Sequence, residues 1–194
     1  MKNVFSLFFI ISVLFSGCKA TKTVAENKQE PNSSTPMVTD GAPPEINFHD
    51  QTTWLLGYFN QDQLTHYPHS TWYLKGFDDY QLKTDVINNL LEINKEDITI
   101  KIVMGTWCPD SRREVPRFMR VLDAWQFPVA KVTFIGVDDV KQSPVGEYSS
   151  LDIQRVPTFI IFKNNIEAGR IIENPVTSLE QDMVNILAGM NKNK

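Results

Sequence analysis

The sequence predicts an α/β domain: a central mixed sheet, formed by a βαβ unit and then a ββα unit, flanked by helices. Three observations carry that expectation. First, Ile98 to Met104 is a β-branched run, and behind it Val115, Phe118, Met119, Leu122 and Trp125 recur at helical spacing. Lys131 to Val137 reads as a second strand, and strand, helix, strand at this spacing is a parallel, right-handed unit. Second, Val156 to Phe162 is nearly continuous apolar sequence, the pattern of a central strand buried on both faces. Asn164-Asn165 makes a turn, and Ile166 to Ile172 returns antiparallel. Third, Thr177-Ser178-Leu179-Glu180 reads as a capping box opening a last helix, whose inner face is Leu179, Met183, Ile186, Leu187 and Met190.

The chain has 194 residues, 42% of them hydrophobic, which suits one domain with appendages. A formal net charge of -4, with no run of Lys and Arg, argues against nucleic acid as a partner. Met1-Lys2-Asn3 and the apolar run Val4 to Phe15 have the form of an export signal, too short to span a membrane. Ser16-Gly17-Cys18 closes that run and resembles the bacterial lipobox, although Phe15 stands where an aliphatic residue is usual. The expectation is a lipoprotein signal peptide over residues 1–17, with Cys18 lipidated and the protein anchored in the bacterial cell envelope. Residues 18–44 are rich in Thr, Asn, Ser, Pro, Glu and Lys and read as a flexible tether.

Residues 45–194 are expected to form the domain, opened by an aromatic-rich extension over residues 45–79 that packs on it. This stretch holds all three histidines, His49, His66 and His69. His66-Tyr67-Pro68-His69 lacks a nearby cysteine or suitably spaced acids, and Pro68 breaks any helix that would align the pair. No metal and no cofactor is expected. Asp79 to Asn94 is a helical pattern with Val86, Ile87, Leu90 and Leu91 on one face. Asp138 to Gln154 is a loop with room for a short helix.

The chemistry concentrates in Gly105-Thr106-Trp107-Cys108-Pro109-Asp110-Ser111-Arg112-Arg113, where a strand gives way to a helix. Unpaired N–H groups at a helix N-terminus carry partial positive charge and favour an anion. A cysteine so placed can have its pKa lowered from about 8.5 into roughly the 3.5–7.5 range, and the thiolate is the nucleophile. Pro109 suits the first helical turn, having no N–H to leave unsatisfied. With Cys18 carrying lipid, Cys108 is the one thiol left, so no internal disulfide is available. Arg112 and Arg113 either add positive potential beside the thiol or form a solvated helix face, and Asp110 complements the helix dipole.

Trp107-Cys108-Pro109-Asp110-Ser111 resembles the Trp-Cys-x-x-Cys site of the thioredoxin family, with serine in place of the second cysteine. Tyr148 to Phe162, ending Arg155-Val156-Pro157-Thr158-Phe159-Ile160-Ile161-Phe162, resembles the family's cis-proline segment, and Lys163-Asn164-Asn165 the hairpin after it. The likeness spans roughly residues 80–190 and implies a thioredoxin fold. It further implies that Cys108 attacks substrate disulfides, Ser111 hydrogen-bonds the thiolate, Trp107 covers it, and Val156 with a cis Pro157 presents backbone to the substrate. Ile102 stands where the family often has a buried aspartate. Two functions follow as expectations. One is a membrane-anchored monothiol exchanger, an isomerase or reductase, whose partners are disulfide-bonded or thiol-containing proteins and an external thiol. The alternative is a non-catalytic module that binds extended peptides.

Overall fold

In the computed structural model, residues 45–189 are described. Strand β2 (Ile98–Met104) occupies the centre of the sheet, with five of its seven residues buried. It pairs in parallel with β3 (Val132–Gly136) and antiparallel with β4 (Thr158–Lys163). Strand β5 (Ile166–Ile172) extends β4 antiparallel, and β1 (Gly57–Phe59) runs antiparallel along β3, giving the order β1-β3-β2-β4-β5. Helix α3 (Pro109–Ala124) joins β2 to β3, and α4 (Leu179–Gly189) follows β5. Among the described residues the result is a mixed five-stranded sheet with four α-helices, the βαβ and ββα units included.

The sheet's two faces are covered differently. Ile98, Ile100, Ile102 and Met104 alternate onto the face that also receives Tyr73 of α1 (Ser70–Asp79), Ile87 and Leu90 of α2 (Thr84–Leu91), Phe118 of α3 and Met183 of α4. That is the larger core. Every residue of the α3 stripe, Val115, Phe118, Met119, Leu122 and Trp125, is buried there. The opposite face carries Val103, Ile135, Val137 and Ile160, and its cover is a loop with one turn of 3-10 helix, Tyr148–Leu151. Cys108 belongs to this second, smaller cluster.

Several boundaries differ from the sequence reading for local reasons. The helix expected over Asp79 to Asn94 begins only at Thr84, because Glu180 of α4 accepts the Lys83 N–H at 3.1 Å and the Tyr80 hydroxyl at 3.1 Å, holding the approach open. That use of Glu180 also undoes the capping box: Ser178 Oγ accepts instead from Gln181 N at 3.2 Å, and Asp182 takes Val176 N and Thr177 N. β4 starts at Thr158 rather than Val156, since Pro157 offers no N–H to a ladder. The Asn164-Asn165 turn has both residues at positive φ (53° and 62°), which asparagine tolerates and a two-residue hairpin demands. In the aromatic extension the sequence reading missed both β1 and α1.

Residues 1–17, Cys18 and the stretch up to residue 44 lie outside the described residues, as does Met190. Among the described residues no helix is long and apolar enough to cross a membrane.

Candidate functional site

Cys108 is the residue before α3, with extended backbone (φ -78°, ψ 123°), and its own side chain caps nothing. Its N–H donates to Gly105 O at 3.0 Å, closing the turn out of β2, while its carbonyl accepts from Arg112 N at 3.0 Å as the helix begins. The side chain is buried and points across the turn to the segment before β4. There the Cys108 thiol donates to Val156 O at 3.4 Å, and the Val156-Pro157 peptide is cis. Two segments 48 residues apart thus meet at the sulfur. Cys108 is the free cysteine among the described residues.

Trp107 folds its indole back over Gly105 and donates Nε1–H to Val137 O at 3.0 Å. A Cβ at position 105 would overlap that indole, so the close approach needs glycine. Ser111 is fully buried, and its hydroxyl oxygen accepts from Gly105 N at 3.4 Å. Through this bond the serine ties the helix to the end of β2. Pro109 occupies the first helical position. Ile102 is fully buried in the larger core.

The two arginines separate cleanly. Arg113 forms ion pairs with Asp110 (2.6 Å) and Glu114 (2.6 Å), and the Glu114 hydrogen bond in particular raises its pKa. Its charge is therefore locally matched. Arg112 turns the other way and donates from one guanidinium nitrogen to both Thr106 O (3.0 Å) and Trp107 O (2.7 Å). The Phe48 ring lies over it, 4.5 Å from the guanidinium carbon to the ring centre. Burial lowers the Arg112 pKa, and attraction to a Cys108 thiolate opposes that shift.

The N-terminal segment completes the surroundings. Thr106 Oγ1 donates to Thr53 O (3.2 Å) and accepts from Leu55 N (3.2 Å). Trp54 packs against Trp107 with ring centres 6.4 Å apart, and donates its Nε1–H to Phe48 O at 2.9 Å. Phe48, Trp54 and Thr106 escaped the sequence reading as contributors to the site. Nothing local marks them, because β1 pairing with β3 delivers this segment from far away in the chain.

His66 and His69 do not form a clip. His66 Nδ1 contacts Asp62 O at 2.8 Å, whereas His69 is buried between Phe48 and Trp72. Among the described residues no group of three or more His, Cys, Asp or Glu could hold a metal ion.

No family model matches the chain, and no curated protein matches it. Solved structures do. A crystal structure of a protein of unknown function from Pseudomonas aeruginosa is similar with a TM-score of 0.44 and 12% identity, over 64% of this chain and 82% of that one. A crystal structure of an HIV epitope-scaffold is similar with a TM-score of 0.41 and 14% identity, over 63% of this chain and 82% of that one.

Proposed function

We propose that this chain is a thioredoxin-fold thiol–disulfide exchange protein that works through one thiol, Cys108, and is held at the cell envelope by lipid on Cys18. The observation that carries the reading is the position of Cys108. It stands at the start of a sixteen-residue helix, uncapped by its own side chain, with its sulfur turned to the Val156 carbonyl. The fold name is supported by the parallel β2–α3–β3 unit followed by antiparallel β4, β5 and then α4. The two resembling motifs fall at the start of α3 and immediately before β4.

The chemistry balances with one cysteine. Cys108 loses its proton to solvent, and the thiolate attacks one sulfur of a substrate disulfide. A Cys108–substrate disulfide forms, and the other substrate sulfur leaves as a thiolate. A second thiolate then attacks the mixed disulfide and Cys108 leaves. If the attacker belongs to the substrate, the net result is isomerisation. If it is a small external thiol, two such thiols are oxidised for each disulfide reduced.

Ser111 cannot act as that second thiol. Mixing the full chain with a disulfide-bonded peptide and quenching in acid should give a peptide adduct that maps to Cys108 by mass spectrometry. Ser111→Cys should shorten the adduct's life by at least about tenfold, since an intramolecular thiol has a high effective concentration. If the unmodified chain forms no adduct, the exchange reading fails and a peptide-binding module takes its place.

A further inference from the structure

We propose that Arg112 is a positioning residue for Cys108, and that Phe48 of the N-terminal segment locks it into that role from outside. The proposal rests on the exchange reading above, and it assigns to the extension a task in the reaction itself. A trans peptide directs its C=O and N–H in opposite directions. In the Trp107–Cys108 peptide the carbonyl is held by Arg112 (2.7 Å) and the N–H by Gly105 O (3.0 Å). Both ends of that plane are tied, so the direction in which Cys108 leaves the backbone is set. The same guanidinium nitrogen also holds the preceding carbonyl, Thr106 O. Thr106 is itself fastened through its hydroxyl to Thr53 and Leu55.

The second contribution is charge. A guanidinium stays protonated in proteins, so Arg112 presents a fixed positive charge to a developing thiolate. Its neighbour Arg113 cannot substitute, because Asp110 and Glu114 already match it. What keeps Arg112 in place is the Phe48 ring over its face, and Phe48 is fixed in turn by its own carbonyl on Trp54 Nε1. Planar stacking under a ring, with the donor nitrogen held in a fixed direction by that stacking, is a property of arginine that lysine does not share.

Alkylation of Cys108 by iodoacetamide reads the sulfur directly and requires no exchange activity. Rates are compared at about pH 7 and about pH 9.5 for the full chain and for Arg112→Met, Arg112→Lys and Phe48→Leu, with circular dichroism confirming the fold. Arg112→Met should react about tenfold slower at neutral pH and much less slowly, relative to the unmodified chain, in alkali. Arg112→Lys keeps the charge and should recover part of the neutral rate. Mixed-disulfide formation by Arg112→Lys should nevertheless stay slow, because the carbonyls are no longer gathered. Phe48→Leu keeps apolar volume but removes the ring, and should slow the neutral rate about two- to threefold.

A folded Arg112→Met with unchanged rates at both pH values overturns the proposal. If Arg112→Met does not fold, Phe48→Leu decides, and unchanged rates there overturn it. The exchange reading can fail separately: a chain that forms no mixed disulfide, yet whose alkylation depends on Arg112 and Phe48 as described, upholds the positioning role.

Discussion

Helices α3 and α4 begin in opposite ways. Every α-helix starts with backbone N–H groups that have no partner within the helix. At α4 one of these groups, Gln181 N, finds a side-chain acceptor, and the approach to the helix is tied as well. Ser178 Oγ accepts from Gln181 N, while the Asp182 carboxylate accepts from Val176 N (2.6 Å), Thr177 N (3.2 Å) and the Thr177 hydroxyl (2.6 Å). At α3 the residue in the capping position is Cys108, whose side chain makes no such bond, followed by Pro109, which has no N–H at all. One start is closed by oxygen acceptors and the other is left with a sulfur. The starts of α1 and α2, after His69 and Lys83, also lack a side-chain cap. What sets α3 apart is that its capping position holds a cysteine, where the field of the helix start favours an anion.

Replacing each start tests that difference, and the effects should not cross. Cys108→Ala should abolish adduct formation altogether, the largest change expected of any substitution in the molecule. It should leave the urea midpoint nearly where it was, because it deletes one sulfur and a single long hydrogen bond (3.4 Å to Val156 O). An adduct that persists in Cys108→Ala would move the chemistry elsewhere. Asp182→Ala should do the reverse. Asp182 is 8% exposed and accepts three hydrogen bonds from Val176 and Thr177, so its loss removes charge-assisted bonds whose donors can turn to water, at a cost of about 1–2 kcal/mol. Adduct formation by the folded fraction should be unchanged. If Asp182→Ala costs nothing in urea denaturation, the two starts differ less than their hydrogen bonds indicate.

The contrast also marks what can be read from sequence. The amphipathic stripe from Val115 to Trp125 and the apolar runs of β2 and β4 are repeated signals, and repetition survives local exceptions. The cysteine and Pro109 at the strand-to-helix junction were equally legible, since both act within one turn. The environment of the site was not. Gly57–Phe59 is too short to show alternation, and α1 closely follows Pro68 and contains Gly76, so neither announces itself. Gly76 is there because α1 crosses α3 at Pro116, where a Cβ would come within 2.6 Å of the proline ring. The roles of Phe48, Trp54 and Thr106 depend on that long-range packing. Glu180 shows the same limit in another form. Its spacing from Thr177 fits a capping box, but a fully buried carboxylate is better served by Tyr80 and Lys83 N from elsewhere in the chain.

A third helix start sharpens the comparison by the smallest effect. α1 begins after His69, whose side chain makes no capping hydrogen bond, and here no nucleophile explains the omission. The ring is 4% exposed, lies 6.2 Å from Phe48 and 6.0 Å from Trp72, and its Nδ1 has no hydrogen-bond partner. Burial lowers the His69 pKa below the ordinary histidine value of 6.5. The folded state therefore resists the proton that the unfolded chain accepts. Above about pH 6.5 both states are neutral and the ring's apolar packing counts in full. As pH falls from there towards the folded-state pKa, the unfolded chain binds the proton first and stability is lost, at no more than about 1.4 kcal/mol per pH unit. His69→Phe keeps the aromatic packing and removes the titration. Its urea midpoint should be flatter than that of the unmodified chain between about pH 6.5 and pH 5, with the two curves running parallel above about pH 7. Equal slopes in the acid range would mean that the buried ring finds a way to hold its proton.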